Sequence, residues 1–304
     1  MSHPTLPPAI DGERTTTLRR SGPLSYYVRG EGEPILLIHS INAAASAYEM
    51  RPLAHALQGR KVYVPDLPGF GFSDRSNRDY TIRLYTDAIH DMLDVIAHDE
   101  GEGAIDAVAL SLSSEFLGRA AVERPAAFRT LAMITPTGFE RGSSTRRGQT
   151  GSSREIPGLY KALTAPPWHT GLFNLLVSRR SIAFFLKRTF GSDNFGRDLL
   201  DYDYATSHQP GAENAPYAFV SGRLFARDIR TIYEALTLPV CVLHATRGDF
   251  KDFSEADWAR ARANWDFQAF DAGAMVHFEQ LKPLLSAYEA FLARSGQPQP
   301  AVAF

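Results

Sequence analysis

The sequence has one cysteine, Cys241, in 304 residues. That excludes an intramolecular disulfide scaffold and points to a reducing, cytoplasmic setting. Long apolar runs are also missing. No stretch approaches the ~18 consecutive apolar residues that a membrane span needs, and residues 1–10 have neither the basic start nor the apolar run of a secretion signal. Their prolines suggest an extended arm, and residues 295–304 read as a frayed tail. A basic excess is absent too, since 32 Lys and Arg face 34 Asp and Glu. Nucleic-acid binding is therefore not expected. Metal-ligand spacings such as Cys-x-x-Cys or His-Glu-x-x-His do not occur, nor do internal repeats, so neither a metal nor an organic cofactor is expected. What remains is an ordinary globular composition, 44% hydrophobic and 22% charged, long enough for one large domain or two small ones.

Short apolar runs alternate with helical periodicity over the first 136 residues. Strands are expected near 24–33, 34–39, 61–66, 104–110 and 130–134, and helices near 43–57, 81–96 and 115–124. The alternation resumes with strands at 238–244 and 267–270 and helices at 255–262 and 283–292. Continuous apolar runs suit strands covered on both faces, so the pattern predicts an α/β fold with a doubly wound, mostly parallel sheet. Residues 138–235 break the alternation. They are rich in aromatics, carry 13 basic and 9 acidic residues, and contain no convincing buried strand. This segment is expected to be a helical lid inserted into a core made of residues 1–137 and 236–304. Most of its aromatics would pack among themselves, and a minority would line a cavity.

The stretch Val108-Ala-Leu-Ser-Leu-Ser-Ser-Glu115 carries the chemistry. An apolar strand runs into serine and a helix follows at once, which is the setting of a strained nucleophile turn. Such a turn needs small residues two before and two after the nucleophile. Ser111 satisfies this with Ala109 and Ser113, whereas Ser113 would require Glu115 to be small. Two further stretches matter. Ile35-Leu-Leu-Ile-His-Ser-Ile-Asn42 is a strand ending in a polar loop, and Asp66-Leu-Pro-Gly-Phe-Gly-Phe-Ser-Asp74 is a glycine-bearing turn.

Taken together, these three stretches and the interrupted alternation resemble the α/β-hydrolase superfamily, in its lid-bearing serine esterase, haloperoxidase and C–C hydrolase branch. The resemblance covers about residues 24–136 and 237–292. It implies Ser111 as nucleophile, with the backbone amides of Ile41 and Leu112 as oxyanion hole. Ser40 stands where the family usually has glycine. Ser40, Asn42 and Met275 are expected to line the substrate pocket, and His39 to orient the oxyanion loop. The acid should follow the seventh strand. Asp249 is the candidate, one residue later than usual, with Asp252 as fallback. His244 reads as a packed strand residue.

The base is the anomaly. The family pattern Gly-His-x-x-His-x-Glu aligns with Gly273-Ala274-Met275-Val276-His277-Phe278-Glu279, which puts Ala274 at the base's position. Either Ala274 marks a natural or deliberate loss of the base, or His277 serves from a shifted loop. The resemblance implies a serine hydrolase acting on a small carboxylic ester, thioester or lactone through an acyl-serine, impaired by Ala274. The alternatives are a C–C bond hydrolase or perhydrolase with the same triad, and an inert protein that holds a ligand without turnover.

Overall fold

The computed structural model describes residues 4–296. Eight strands form one sheet: β1 (Glu13–Arg19), β2 (Gly22–Arg29), β3 (Glu33–Ile38), β4 (Arg60–Pro65), β5 (Ile105–Leu110), β6 (Phe128–Ile134), β7 (Val240–Ala245) and β8 (Trp265–Phe270). Their spatial order is β1-β2-β4-β3-β5-β6-β7-β8. The first two pairings are antiparallel and the other five parallel.

Side-chain alternation divides the core into two layers. Leu36, Ile38, Ala107, Ala109, Leu131, Met133, Val240 and Val242 face α2 (Ile82–Glu100), α3 (Ser113–Glu123) and α9 (Ile229–Ala235). Ile35, Leu37, Val108, Leu110, Ala132, Ile134, Cys241 and Leu243 face the other way, toward α1 (Arg51–Ala56) and α12 (Leu281–Ser295). Burial on both faces explains why these strands lack a polar alternate. Asp106 on β5 is one exception, and its carboxylate accepts from Arg60, Arg129 and Thr130.

Between β6 and β7 the chain forms α4 (Leu159–Thr164), α5 (His169–Leu176), α6 (Arg179–Phe190), α7 (Arg197–Ser207), α8 (Asn214–Val220) and then α9. Beyond β7 come α10 (Asp257–Arg260) and, after β8, α11 (Val276–Glu279). Helices α5, α6 and α7 contribute Phe173, Ile182, Leu186, Phe190, Leu199 and Tyr202 to the second core layer.

Several sequence expectations need correction. Strand β1 was not expected, because its residues are mostly exposed and carry no apolar alternation. The helix expected over 43–57 is a loop, a 3₁₀ turn at Ala47–Met50, and only then α1. Ser46 caps that turn, and Asp66 takes the Ala47 amide at 2.8 Å, which breaks the longer helix. The N-terminal arm is packed down: Tyr202 Oη donates to Pro7 O and Gln209 Nε2 to Pro4 O. Most of the tail expected at 295–304 lies outside the described residues.

Candidate active site

Strand β5 ends at Leu110 and α3 begins at Ser113, so the chain must reverse within two residues. Ser111 does this with φ of 55°, a left-handed conformation that costs a non-glycine residue on the order of 1–3 kcal/mol. Its amide donates to Ile134 O at 2.9 Å, and its carbonyl accepts from Ser114 N at 3.1 Å. The neighbouring serines turn inward: Ser113 Oγ donates to His39 O and Ser114 Oγ to Ala109 O. Ser111 Oγ has no hydrogen-bond partner among the described residues and opens on a cavity of about 410 Å³. Leu112 and Ile41 line the same cavity, and neither amide donates to another group among the described residues. Two unclaimed N–H groups flanking a serine hydroxyl can receive a developing oxyanion.

The loop after β3 is held by a residue that the sequence reading missed. Glu49 is fully buried. It accepts from Ser40 N at 2.7 Å, Ser40 Oγ at 3.0 Å and Asn42 Nδ2 at 2.8 Å. Burial pushes its carboxyl up to about 7, against the pull of those donors. The available signal was that Glu49 is the only acidic residue between Glu33 and Asp66. His39 is fixed as one tautomer. Leu67 N donates to its Nε2, so Nδ1 carries the proton and donates to Ser40 O at 2.6 Å. Burial lowers the imidazole to about 4, keeping it neutral. Asp66 works structurally: its carboxylate accepts Ala47 N and Phe72 N, and a Cβ on Gly71 would lie 1.9 Å from it.

At the far side of the cavity the inserted helices meet two core loops. Asp249 lines the cavity rim, is ion-paired with Arg188, and donates its own amide to Arg188 O at 3.1 Å. Ala274 lines the same cavity and donates its amide to Thr189 O at 2.8 Å. Gly273 packs so closely that a Cβ there would sit 2.3 Å from Phe190 Cα. The end of α6 therefore lies against both the loop after β7 and the loop after β8. Asp252 lies away from the cavity lining and accepts Arg141 N and Ser254 N.

The alternative base is where expectation and structure part. His277 sits on the four-residue helix α11, which turns its ring inward. The ring is fully buried and donates from Nε2 to Glu49 O at 2.6 Å, while Nδ1 has no partner. It bonds neither Ser111 nor Asp249, and burial holds it neutral by lowering it to about 4. Its spacing allowed a base, but its orientation does not. Met275, beside it, does line the cavity, as do Ser40 and Asn42. His244 is packed against Phe253 and accepts from Arg260, as expected of a strand residue. Among the described residues no cluster of potential ligands could hold a metal ion, and no helix is long and apolar enough to cross a membrane.

The profile of the alpha/beta hydrolase family matches residues 35–287. Among solved structures, the chain is similar to an enol-lactonase from Burkholderia xenovorans LB400, with 17% identity, a TM-score of 0.70, and coverage of 92% of this chain and 100% of that one. A meta-cleavage product hydrolase from Pseudomonas fluorescens IP01 gives 18%, 0.70, 93% and 98%. A thermophilic esterase from Thermogutta terrifontis gives 18%, 0.70, 94% and 100%. At these identities the likeness concerns the fold. A comparison with curated proteins gives no match.

Proposed function

The chain belongs to the alpha/beta hydrolase family, and from that premise we propose that it is a serine hydrolase-type protein whose nucleophile is Ser111 and whose base position is vacated at Ala274. The observation that carries this reading is the strained turn at Ser111, whose hydroxyl opens on an apolar cavity beside the free amides of Ile41 and Leu112. The substrate class is a carboxylic ester, thioester or lactone. Ser111 Oγ attacks the carbonyl carbon and the two amides hold the resulting oxyanion; its collapse breaks the ester C–O or thioester C–S bond, the departing alcohol or thiol takes up a proton in place of the one Ser111 loses, and water then hydrolyses the acyl-serine to release the acid. Residues 138–235 act as a lid over a core of residues 1–137 and 236–304. The esterase and lactonase among the structural neighbours support this substrate class by analogy of fold. Hydrolysis of a carbon–carbon bond at the same serine is the sibling reading, which the meta-cleavage product hydrolase supports in the same way.

Turnover by the chain as it stands is expected to be slow. A methyl group cannot take the Ser111 proton, and an unassisted serine hydroxyl is a poor nucleophile at neutral pH. One observation favours a second reading, that of a ligand holder without turnover. Asp249 is engaged by Arg188, so the acid that would orient a base is already occupied. Hydrolysis of p-nitrophenyl esters, with Ser111→Ala as the blank, separates the two. Slow turnover that depends on Ser111 supports the hydrolase, and turnover equal to the blank supports the holder.

A further inference from the structure

Asp203 on α7 is only 6% exposed and lines the cavity above Ser111. Its Oδ1 has no hydrogen-bond partner, and no donor among the described residues reaches the carboxyl. A buried carboxyl without a partner is costly, and its persistence calls for an explanation. The groups packed around it do not supply one. Glu49 is already satisfied by Ser40 and Asn42 and adds like charge. The half-buried Arg75 spends its donors on Gly71 O and on Thr206 O and Oγ1. Tyr202, next in sequence, stacks on Tyr48 and donates to Pro7 O.

The basic excess of the inserted segment does not enter the cavity either. Arg188 is the one cationic side chain among the cavity-lining residues, and it pairs with Asp249 at the half-exposed rim. Arg146 pairs with Glu115, Arg179 with Asp201, and Lys187 with Asp193. The polarity of the cavity is thus the reverse of what the composition of the segment suggests.

We propose that the cavity above Ser111 takes a ligand with an apolar body and one ammonium group, and that Asp203 binds the ammonium directly. The inference deepens the reading of this cavity as the ligand site and rests on it, but it does not require turnover. Leu176, Ile182, Leu186 and Phe219 supply apolar wall for the body. A cavity of about 410 Å³ fits a small aryl- or alkylamine moiety. The ammonium gives Asp203 the donor it lacks, and the charge-assisted bond is strongest in such a water-poor site. Burial and the Glu49 charge hold the empty-site carboxyl well above the usual carboxylate range. Docking of the ammonium favours the ionised carboxylate and so opposes that upward shift.

The test is titration calorimetry of the full chain with 2-phenylethylammonium, 2-phenylethanol and 3-phenylpropanoate. The ammonium is expected to bind at least tenfold more tightly than the isosteric alcohol, and the carboxylate most weakly. Asp203→Asn should bring ammonium and alcohol within twofold of each other. Equal binding of ammonium and alcohol by the unaltered chain overturns the proposal, as does a preference that survives in Asp203→Asn. If that variant does not fold, the unaltered chain decides alone. Fluorophosphonate labelling of Ser111 in the Ala274→His protein keeps the two readings apart. Labelling without ammonium preference fails only the subsite, and preference without labelling fails only the hydrolase.

Discussion

Ala274→His should raise ester turnover in two stages. The cavity on which Ala274 opens has room for an imidazole, so the side chain can be placed near Ser111. In well-studied serine hydrolases, loss of the base costs on the order of 10⁶ in turnover and loss of the acid on the order of 10⁴. A base without its acid should therefore regain roughly 10²-fold. That is the expectation for Ala274→His alone, because Asp249 is held by Arg188. The Arg188 and Asp249 side chains are 53% and 42% exposed, and exposed ion pairs are worth only about 0.2–1 kcal/mol. Releasing Asp249 with Arg188→Leu should thus cost little stability. The main-chain bonds from Asp249 N to Arg188 O and from Ala274 N to Thr189 O do not depend on either side chain. The double variant is expected to gain at least a further tenfold. The assay is p-nitrophenyl butyrate hydrolysis, with Ser111→Ala as the blank in each background. A double variant no faster than the unaltered chain would refute the reasoning. So would high turnover of the unaltered chain that His277→Ala abolishes, since that would make His277 the base despite its bond to Glu49 O.

Fluorophosphonate should label Ser111 alone in the Ala274→His protein. Peptide mass spectrometry should find no adduct on Ser113, whose hydroxyl is committed to His39 O. Glu115→Ala should destabilise the fold by about 3–5 kcal/mol, as expected for removing one partner of a buried ion pair. It takes from Arg146 its buried carboxylate partner, leaving only Glu140, and leaves Ala226 N without an acceptor, and the shift appears in the urea midpoint. Glu49 is expected to tilt the pH dependence of stability. Its folded value of about 7 lies above the unfolded 4.5, so the folded state holds the extra proton between those limits and stability falls as pH rises through that window. Glu49→Gln should remove on the order of 3 kcal/mol of that change across the window, and an unchanged slope in denaturation series from pH 4.5 to 7.5 would count against the assignment.

The sheet was legible because parallel strands buried on both faces write themselves as uninterrupted apolar runs. Ile35–Ile38 and Val240–Leu243 are such runs, and each is fully buried. Strand β1 was not legible, because an edge strand with exposed side chains has no such pattern to offer. Within the site, local chemistry was readable and distant chemistry was not. The small residues Ala109 and Ser113 picked out the strained turn, since the constraint acts over two residues. Glu49 and Asp203 were invisible as a pair, because they come from the 3₁₀ turn beside β3 and from α7, about 150 positions away. Nothing in either neighbourhood announces that the two carboxyls act on each other.

The glycine at 273 shows most clearly how one residue can satisfy two readings. In the family pattern it precedes the catalytic histidine, and that register is what marked Ala274 as a vacated base. In the structure it has a packing reason of its own, since any Cβ would run into the Phe190 backbone at the end of α6. Gly248 is similar: a Cβ there would lie 2.7 Å from Arg188 O and 2.8 Å from Thr189 O. The same short segment, 188–191, therefore sets the spacing of both loops, while Arg188 pairs with Asp249 and Thr189 O takes the Ala274 amide. Replacing Ala274 alone restores a side chain but leaves that clamp in place. For this reason the two-stage response to Ala274→His and Arg188→Leu distinguishes a lone missing imidazole from a site in which the acid has been recruited to hold the inserted helices.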